Sequence, residues 1–213
     1  MIRLLLAFSL SSMLAFPAVI SLGVKGGIPI TSNFETGTSA NPNVTFTADT
    51  KRYTVGPVIE LHLPWRFGIE ADALYQRLDY QSQEELPGRI VNAVTTANAW
   101  RFPLLLKYRF ASGPVIPFIS AGPSFRYVSN INQVENFFTG TTASRASTSE
   151  PASLNNRFAA GFTAAGGLEF GSSSIHIAPE IRYTRWGWEN FRSFSGVLHS
   201  RENQVEFLVG LTF

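Results

Sequence analysis

The sequence predicts an all-β chain folded as an eight-stranded antiparallel up-and-down transmembrane β-barrel, on three observations. Apolar residues recur at every second position in eight separate segments, the period of a strand with two unlike faces. The breaks between those segments alternate between short turns rich in Gly, Pro or Ser and long polar stretches. The polar face of the segments carries six acids and six bases, the balance that a closed, charge-filled interior requires.

Composition narrows the field before any element is placed. Only 15% of the 213 residues are charged while 13% are aromatic, with Phe alone counting 18; a soluble domain of average make-up carries about a quarter charged residues. The net charge of +2 comes with no run of Lys or Arg, so no nucleic-acid footprint is present. With no cysteine, a disulfide framework and thiolate metal sites are excluded. No interior stretch reaches 18 apolar residues, which excludes a helical-bundle membrane protein but leaves a strand-crossing one open. Residues 1–18, "MIRLLLAFSLSSMLAFPA", place Arg3 before an apolar run from Leu4 to Phe16, as in a signal peptide. Residues 19–213 are then expected to form a single domain.

The eight segments follow in order. Leu22, Val24 and Ile28 alternate with Gly23, Lys25 and Gly27. Tyr53, Val55, Ile59 and Leu61 alternate with Thr54, Gly56, Glu60 and His62. Phe67, Ile69, Ala71, Ala73 and Tyr75 oppose Gly68, Glu70, Asp72 and Gln76; Trp100, Phe102, Leu104, Leu106, Tyr108 and Phe110 oppose Arg101, Lys107 and Arg109. Ile119, Ala121, Phe125 and Tyr127 oppose Ser120, Gly122, Ser124 and Arg126. Phe158, Phe162, Leu168 and Phe170 oppose Gly161, Thr163, Gly167 and Glu169, and Ile175, Ile177, Ile181 and Tyr183 oppose His176, Glu180, Arg182 and Thr184. The closing "NQVEFLVGLTF" sets Val205, Phe207, Val209, Leu211 and Phe213 against Glu206. Short turns fall at "LPWR", "ASGP" and "GSSS"; long polar loops are expected at about 31–51, 81–98, 130–155 and 189–203.

Which face is inside decides the class. In a soluble barrel the apolar face is the core; in a membrane barrel it meets lipid and the polar face lines a narrow lumen. Rings gather at both ends of the apolar stripe, with Trp65, Phe67, Phe110, Phe170 and Phe213 near the short turns and Tyr53, Tyr75, Trp100, Tyr127 and Tyr183 toward the long loops. Two such belts match the two interfaces of a bilayer. The polar face is also small, rich in Gly, Ser, Thr and Ala, as a narrow interior demands. The expected interior charge network is Lys25, Glu60, Glu70, Asp72, Arg101, Lys107, Arg109, Arg126, Glu169, Glu180, Arg182 and Glu206. Pro57, Pro103, Pro123 and Pro179 fall inside strands, where a missing N–H requires a bulge or a gap in the ladder.

At this point the chain resembles the small bacterial outer-membrane β-barrel proteins of the OmpA and OmpX type, over everything after residue 18. The stretches "FPLLLKYRF", "SAGPSFR" and "PEIRYTRWG" have the look of this class. The resemblance implies short periplasmic turns, long extracellular loops, contact with outer-membrane lipid and lipopolysaccharide, and dealings with the outer-membrane assembly machinery. The last strand is similar to the assembly signal of the class, with Glu206 at the polar position and Phe207, Val209, Leu211 and Phe213 on the apolar stripe; Leu208 departs from it where Gly is usual, and Leu211 where an aromatic is.

Barrels of this size include enzymes acting on lipid A, and a soluble lipocalin-like ligand-binding barrel is the alternative by fold. Catalysis at the outer end would need a His near a Ser and a carboxylate. His62 and His176 lie beside the short turns, and His199, next to Ser200, Arg201 and Glu202, is the one outer candidate. The expectation is therefore a non-enzymatic, monomeric barrel without an open pore, binding no cofactor, metal or nucleic acid. Phe137 and Phe138, an apolar pair in the Ser/Thr-rich segment 130–155, are the candidate loop contact.

Overall fold

The computed structural model describes residues 19–36, 44–48, 52–139, 142–172, 175–193 and 198–213. The signal peptide expected over residues 1–18 lies outside them. Thirteen strands are present among the described residues: β1 Val19–Pro29, β2 Phe34–Thr36, β3 Val44–Ala48, β4 Thr54–His62, β5 Phe67–Asp72, β6 Leu74–Leu86, β7 Arg89–Arg109, β8 Val115–Thr139, β9 Thr142–Thr148, β10 Phe158–Ser172, β11 Ile175–Trp186, β12 Leu198–Ser200 and β13 Asn203–Thr212. Among the described residues no helix is long and apolar enough to cross a membrane.

Eight staves close into a ring. The order runs β1, β4, β5 with β6, β7, β8, β10, β11 and β13, every neighbour antiparallel, and β13 returns to β1 with Gly23 opposite Thr212 and Pro29 opposite Glu206. The seam is close: a Cβ on Gly23 would run into the carbonyl oxygen of Leu211, and one on Gly27 into that of Phe207, so only glycine fits there. Phe213 extends the seam by one pair, its N–H donating to the Leu22 carbonyl at 2.9 Å and its carbonyl accepting from Leu22 at 3.0 Å. Closure leaves the barrel wall no free edge, as a lipid environment demands.

Alternation sorts the faces as expected for a membrane barrel. Val24, Ile59, Ile69, Leu104, Leu106, Ile119, Phe162, Ile181 and Leu211 are exposed on the outside, while all twelve charged residues of the network are buried inside. The interior is less polar than the sequence reading allows, because Val58, Leu74, Leu105, Phe118, Trp186 and Leu208 are also buried. They fill the spaces between charged layers, as an eight-stranded interior requires. Rings mark both interfaces: Tyr75 lies 6.4 Å from Tyr53 and 5.3 Å from Trp100, and at the other end Tyr108 lies 5.3 Å from Phe110 and 5.0 Å from Phe67. At the short turn 63–66, Trp65 and Arg66 take left-handed backbone conformations with φ of 59° and 69°, thrusting the exposed Trp65 ring toward the interface.

The prolines are accommodated by gaps, not bulges. Opposite Pro57 the third stave breaks into β5 and β6 at Ala73, yet Val58 pairs with Asp72 and Val55 with Tyr75 in one unbroken register. Between β7 and β8 the ladder skips from Pro103–Ser124 to Leu106–Ala121, again without a shift, and between β10 and β11 it skips from Gly167–Glu180 to Phe170–Ile177 around Pro179. The register shift within the β7–β8 ladder falls between Thr96 and Asn98, opposite Asn130, whose φ is +47°; Asn tolerates this conformation better than most residues.

Two of the expected loops are corrected. Segments 81–98 and 130–155 are mostly strand: β6 and β7 run on to a two-residue turn at Pro87 and Gly88, with Leu86 opposite Arg89 and Gly88 at φ +76°, the chemistry of a type II turn. β8 runs on to Thr139 and folds back as β9. Alternation simply continues past the aromatic belt, and the backbone groups there pair with one another. With β3 added on β6, the order β3, β6, β7, β8, β9 makes a five-stranded sheet standing beyond the Tyr75–Trp100 belt.

Candidate functional site

The lumen is built in layers by strand alternation. Nearest the short turns, Lys107 Nζ lies 3.0 Å from Glu60 and 3.1 Å from Glu169, while Arg109 Nη2 lies 2.5 Å from Glu60 and 2.9 Å from Glu169. The Phe118 ring sits below Lys107, 4.3 Å from its ammonium. In the middle layer Lys25 Nζ lies 2.5 Å from Glu70, 3.2 Å from Glu180 and 3.6 Å from Asp72, and Arg182 reaches the same three acids at 3.0, 2.7 and 2.8 Å. Above it Arg101 holds Glu206 in a fork, at 2.5 Å and 2.8 Å, and donates to Thr54 Oγ1 at 2.9 Å. Arg126 alone of the twelve reaches no acid among the described residues; its guanidinium stacks 4.4 Å from the Trp186 ring.

Higher still the lumen is sealed by an apolar plug that sequence reasoning missed. Phe34, Phe191 and Leu198 come in from the segments after β1 and β11 and pack on Leu78, Tyr80, Ala97, Ala99, Val128 and Ile131 of the barrel wall. The three rings of Phe34, Tyr80 and Phe191 meet edge to face at 5.3 to 5.9 Å. β2 and β12 pair across the top, Phe34 opposite Ser200, and bring these side chains in. Burial pushes the Tyr80 phenol above its ordinary pKa, and its hydroxyl shares a 2.5 Å hydrogen bond with that of Ser153. The inward residues of β6 and β7 above Gln76 turn from charged to apolar, and that switch was the available signal.

On the sheet beyond the Tyr75–Trp100 belt a cleft of about 330 Å³ opens between β3 and β9, lined by Phe46, Tyr80, Glu84, Gln133, Glu135 and Thr148 and floored by Pro151–Ser153. Glu135 accepts from Gln133 Nε2 at 2.7 Å. Phe137 and Phe138 lie on β8, not in a loop: Phe138 is exposed opposite Ile90, and Phe137 carries the Arg89 guanidinium 4.4 Å from its ring. With Leu86, Ile90 and Val94, Phe138 gives this sheet exposed apolar side chains well outside the belt.

His199, Ser200 and Arg201 do not converge on one point. His199 and Ser200 are adjacent on β12 and point to opposite faces: Ser200 is buried and accepts from the Phe191 N–H at 3.0 Å, whereas His199 Nδ1 lies 3.2 Å from Glu189. Arg201 pairs with Glu35 at 3.2 Å. At the short-turn end His62 Nε2 bonds Ser21 Oγ at 3.0 Å, and His176 stands apart opposite Thr212. Among the described residues no group of three or more His, Asp or Glu side chains is arranged to hold a metal ion. In the last strand Glu206 points inward while Phe207, Val209, Leu211 and Phe213 face out.

Comparison with known proteins bears on the fold. Residues 15–187 match the model of a family described as outer membrane protein beta-barrel domain. No curated protein matches the sequence. Among solved structures, similarity extends to Neisserial surface protein A, at 10% identity over 92% of this chain and 97% of that one with a TM-score of 0.43. The outer membrane protein OprG from Pseudomonas aeruginosa matches at 14% identity over 91% and 94%, TM-score 0.45. The N-terminal β-barrel domain of OprF from the same organism matches at 13% identity over 92% and 99%, TM-score 0.36.

Proposed function

The chain belongs to the outer membrane protein beta-barrel family, and from that premise we propose that it is a non-enzymatic surface-interaction barrel that anchors an extracellular sheet and conducts nothing. The observation that carries this reading is the double closure of the lumen: three layers of ion pairs lie beneath an apolar plug. A water path through the wall would have to break both. The material beyond the membrane is, by contrast, organised. Leu86 and Arg89 lie at the tip of a hairpin that continues past Tyr75 and Trp100 for eleven residue pairs, about 35 Å of strand. Its cleft has two carboxylates, several hydroxyls and aromatic surface, a set suited to contacts rather than to bond-breaking.

The outward apolar stripe and the two aromatic belts fit contact with lipid and lipopolysaccharide as a monomer, and the last strand, ending at Phe213, fits recognition by the assembly machinery during insertion. Two measurements test the reading. In planar bilayers the purified barrel is expected to give no steady conductance; regular open-channel steps would overturn the closed lumen. Cells displaying a variant with residues 84–91 and 135–146 trimmed to short turns are expected to lose contact with surfaces that the full protein promotes. Unchanged adhesion, with the trimmed barrel present at equal level, would overturn the role of the sheet.

A further inference from the structure

The sheet beyond the belt has a hollow on each face. The cleft between β3 and β9 lies on the inward side; on the outward side a second hollow, of about 250 Å³, is lined by Thr45, Thr47, Gln81, Gln83, Asn92 and Val94. Ser82 and Ala93, between them in sequence, complete the lining. The register builds it as two rows across β3, β6 and β7, with Thr45, Gln83 and Asn92 in one and Thr47, Gln81 and Val94 in the next. Residues two apart on a strand share a face, and side chains paired across strands stand about 5 Å apart. Asn92 is half-buried and the other five are exposed. Among the described residues the hydroxyls of Thr45 and Thr47 and the amides of Gln81 and Asn92 reach no partner. Gln83 donates one N–H to Glu85 at 3.2 Å and keeps its amide oxygen for another donor.

Every polar side chain in this lining is uncharged. An amide offers both donors and an acceptor, and a hydroxyl is both at once; the hydroxyls of a sugar have the same double character. Val94 adds an apolar surface for the C–H face of a sugar ring. No Lys or Arg lines the hollow, and Glu85 at its rim repels anions, so phosphates and acidic sugars are disfavoured. Arg77, four residues below Gln81, is held by Asp79 at 3.2 Å, and Arg145 stands two strands beyond Asn92, past Asn136. The volume falls just short of the roughly 300 Å³ at which drug-sized pockets begin, which suits a small saccharide. Position names its source. The outward face of β6 and β7 continues the lipid-facing wall: the pair Gln81 and Val94 lies six pairs past Tyr75 and Trp100, and Gln83 and Asn92 eight pairs past, about 20 to 26 Å along the strands. A hollow on this face opens sideways over the surrounding leaflet.

We propose that this hollow binds neutral sugars of the lipopolysaccharide around the barrel, with the amides of Gln81, Gln83 and Asn92 and the hydroxyls of Thr45 and Thr47 meeting sugar hydroxyls. The site rests on the lipopolysaccharide contact proposed above and is independent of conductance and adhesion. The purified barrel in detergent is titrated with lipopolysaccharide carrying neutral outer sugars and with lipopolysaccharide truncated before them. The first is expected to bind about fivefold tighter and to shift the side-chain amide NMR signals of Gln81 and Asn92, which the second leaves in place. The double variant Gln81→Ala, Asn92→Ala, still migrating differently boiled and unboiled, is expected to bind the truncated form as the wild type does and to lose the preference for the longer one. Equal wild-type affinity for the two forms, or a preference kept in full by the variant, overturns the site while leaving the lipid contact standing. Binding of neither form overturns the lipid contact and the site together. The neutral oligosaccharide cut from the first form shifting both amides where the intact lipid does not would overturn the membrane source of the sugar.

Discussion

Glu70 and Ile69 are adjacent on β5 and live in opposite worlds. Glu70 Oε1 accepts from Lys25 at 2.5 Å and Arg182 at 3.0 Å inside the lumen, while Ile69, 36% exposed, faces outward. Glu70→Ala would take one of three acids from two buried cations that keep Asp72 and Glu180, so its cost is that of lost hydrogen bonds to charged groups, about 1.5 to 3 kcal/mol. For a chain of this length that lowers Tm by roughly 2 to 4 °C per kcal/mol. Ile69→Ala is expected to cost far less, because lipid or detergent refills the space and no cavity forms. Thermal unfolding of both variants in detergent checks the order, and Ile69→Ala being the more damaging would mean that the apolar stripe is core. The identity of the interior charges was legible because a charge on the polar side of an alternating strand has only one place to go. The isolation of Arg126 was not, since equal totals of acid and base say nothing about the layer each occupies.

At the level of the element, β13 is both a stave and the closing edge. Phe213 exchanges two backbone hydrogen bonds with Leu22 and ends the outward stripe with an exposed ring. Deleting it removes a seam pair and an interfacial anchor together; Phe213→Ser removes the anchor alone. Both are expected to lower the amount of folded, heat-modifiable protein in outer-membrane fractions, the deletion more than the substitution, and equal yields for all three proteins would show the terminal aromatic to be dispensable. The strands within the membrane were readable from period two because lipid on one side and charge on the other make the alternation strong. Beyond the belt the contrast weakens: in β7, Thr95 and Ala97 face inward and Val94 and Thr96 outward, so 81–98 reads as loop although its backbone pairs in full. The prolines were legible as interruptions, but whether each makes a gap or a bulge depends on the partner strand. Pro57 facing Ala73 needs no extra residue, and the register holds.

At the scale of the whole molecule, the closed lumen proposed above has two parts, and they differ in kind. The plug is a local apolar cluster contributed by short segments, Phe34 from one side and Phe191 and Leu198 from the other, whereas the ionic layers tie seven of the eight staves through Lys25, Glu60, Glu70, Arg109, Glu169, Glu180 and Glu206. The plug's residues come from segments with no long periodicity, so their convergence could not be read from spacing. Phe191, fully buried between Phe34 and Tyr80, is its centre, and Phe191→Ala removes packing of about 3 to 5 kcal/mol. That loss is expected to stay local, because the closed hydrogen-bonded wall does not depend on the plug. On intact cells, protease is then expected to cut within 187–193 of the variant faster than of the wild type, while heat-modifiable migration of the uncut protein is retained. Conductance in planar bilayers should remain absent, since the paired charges below still fill the lumen at membrane depth. Steady current through Phe191→Ala would show that the plug alone seals the barrel and that the ionic layers pass ions.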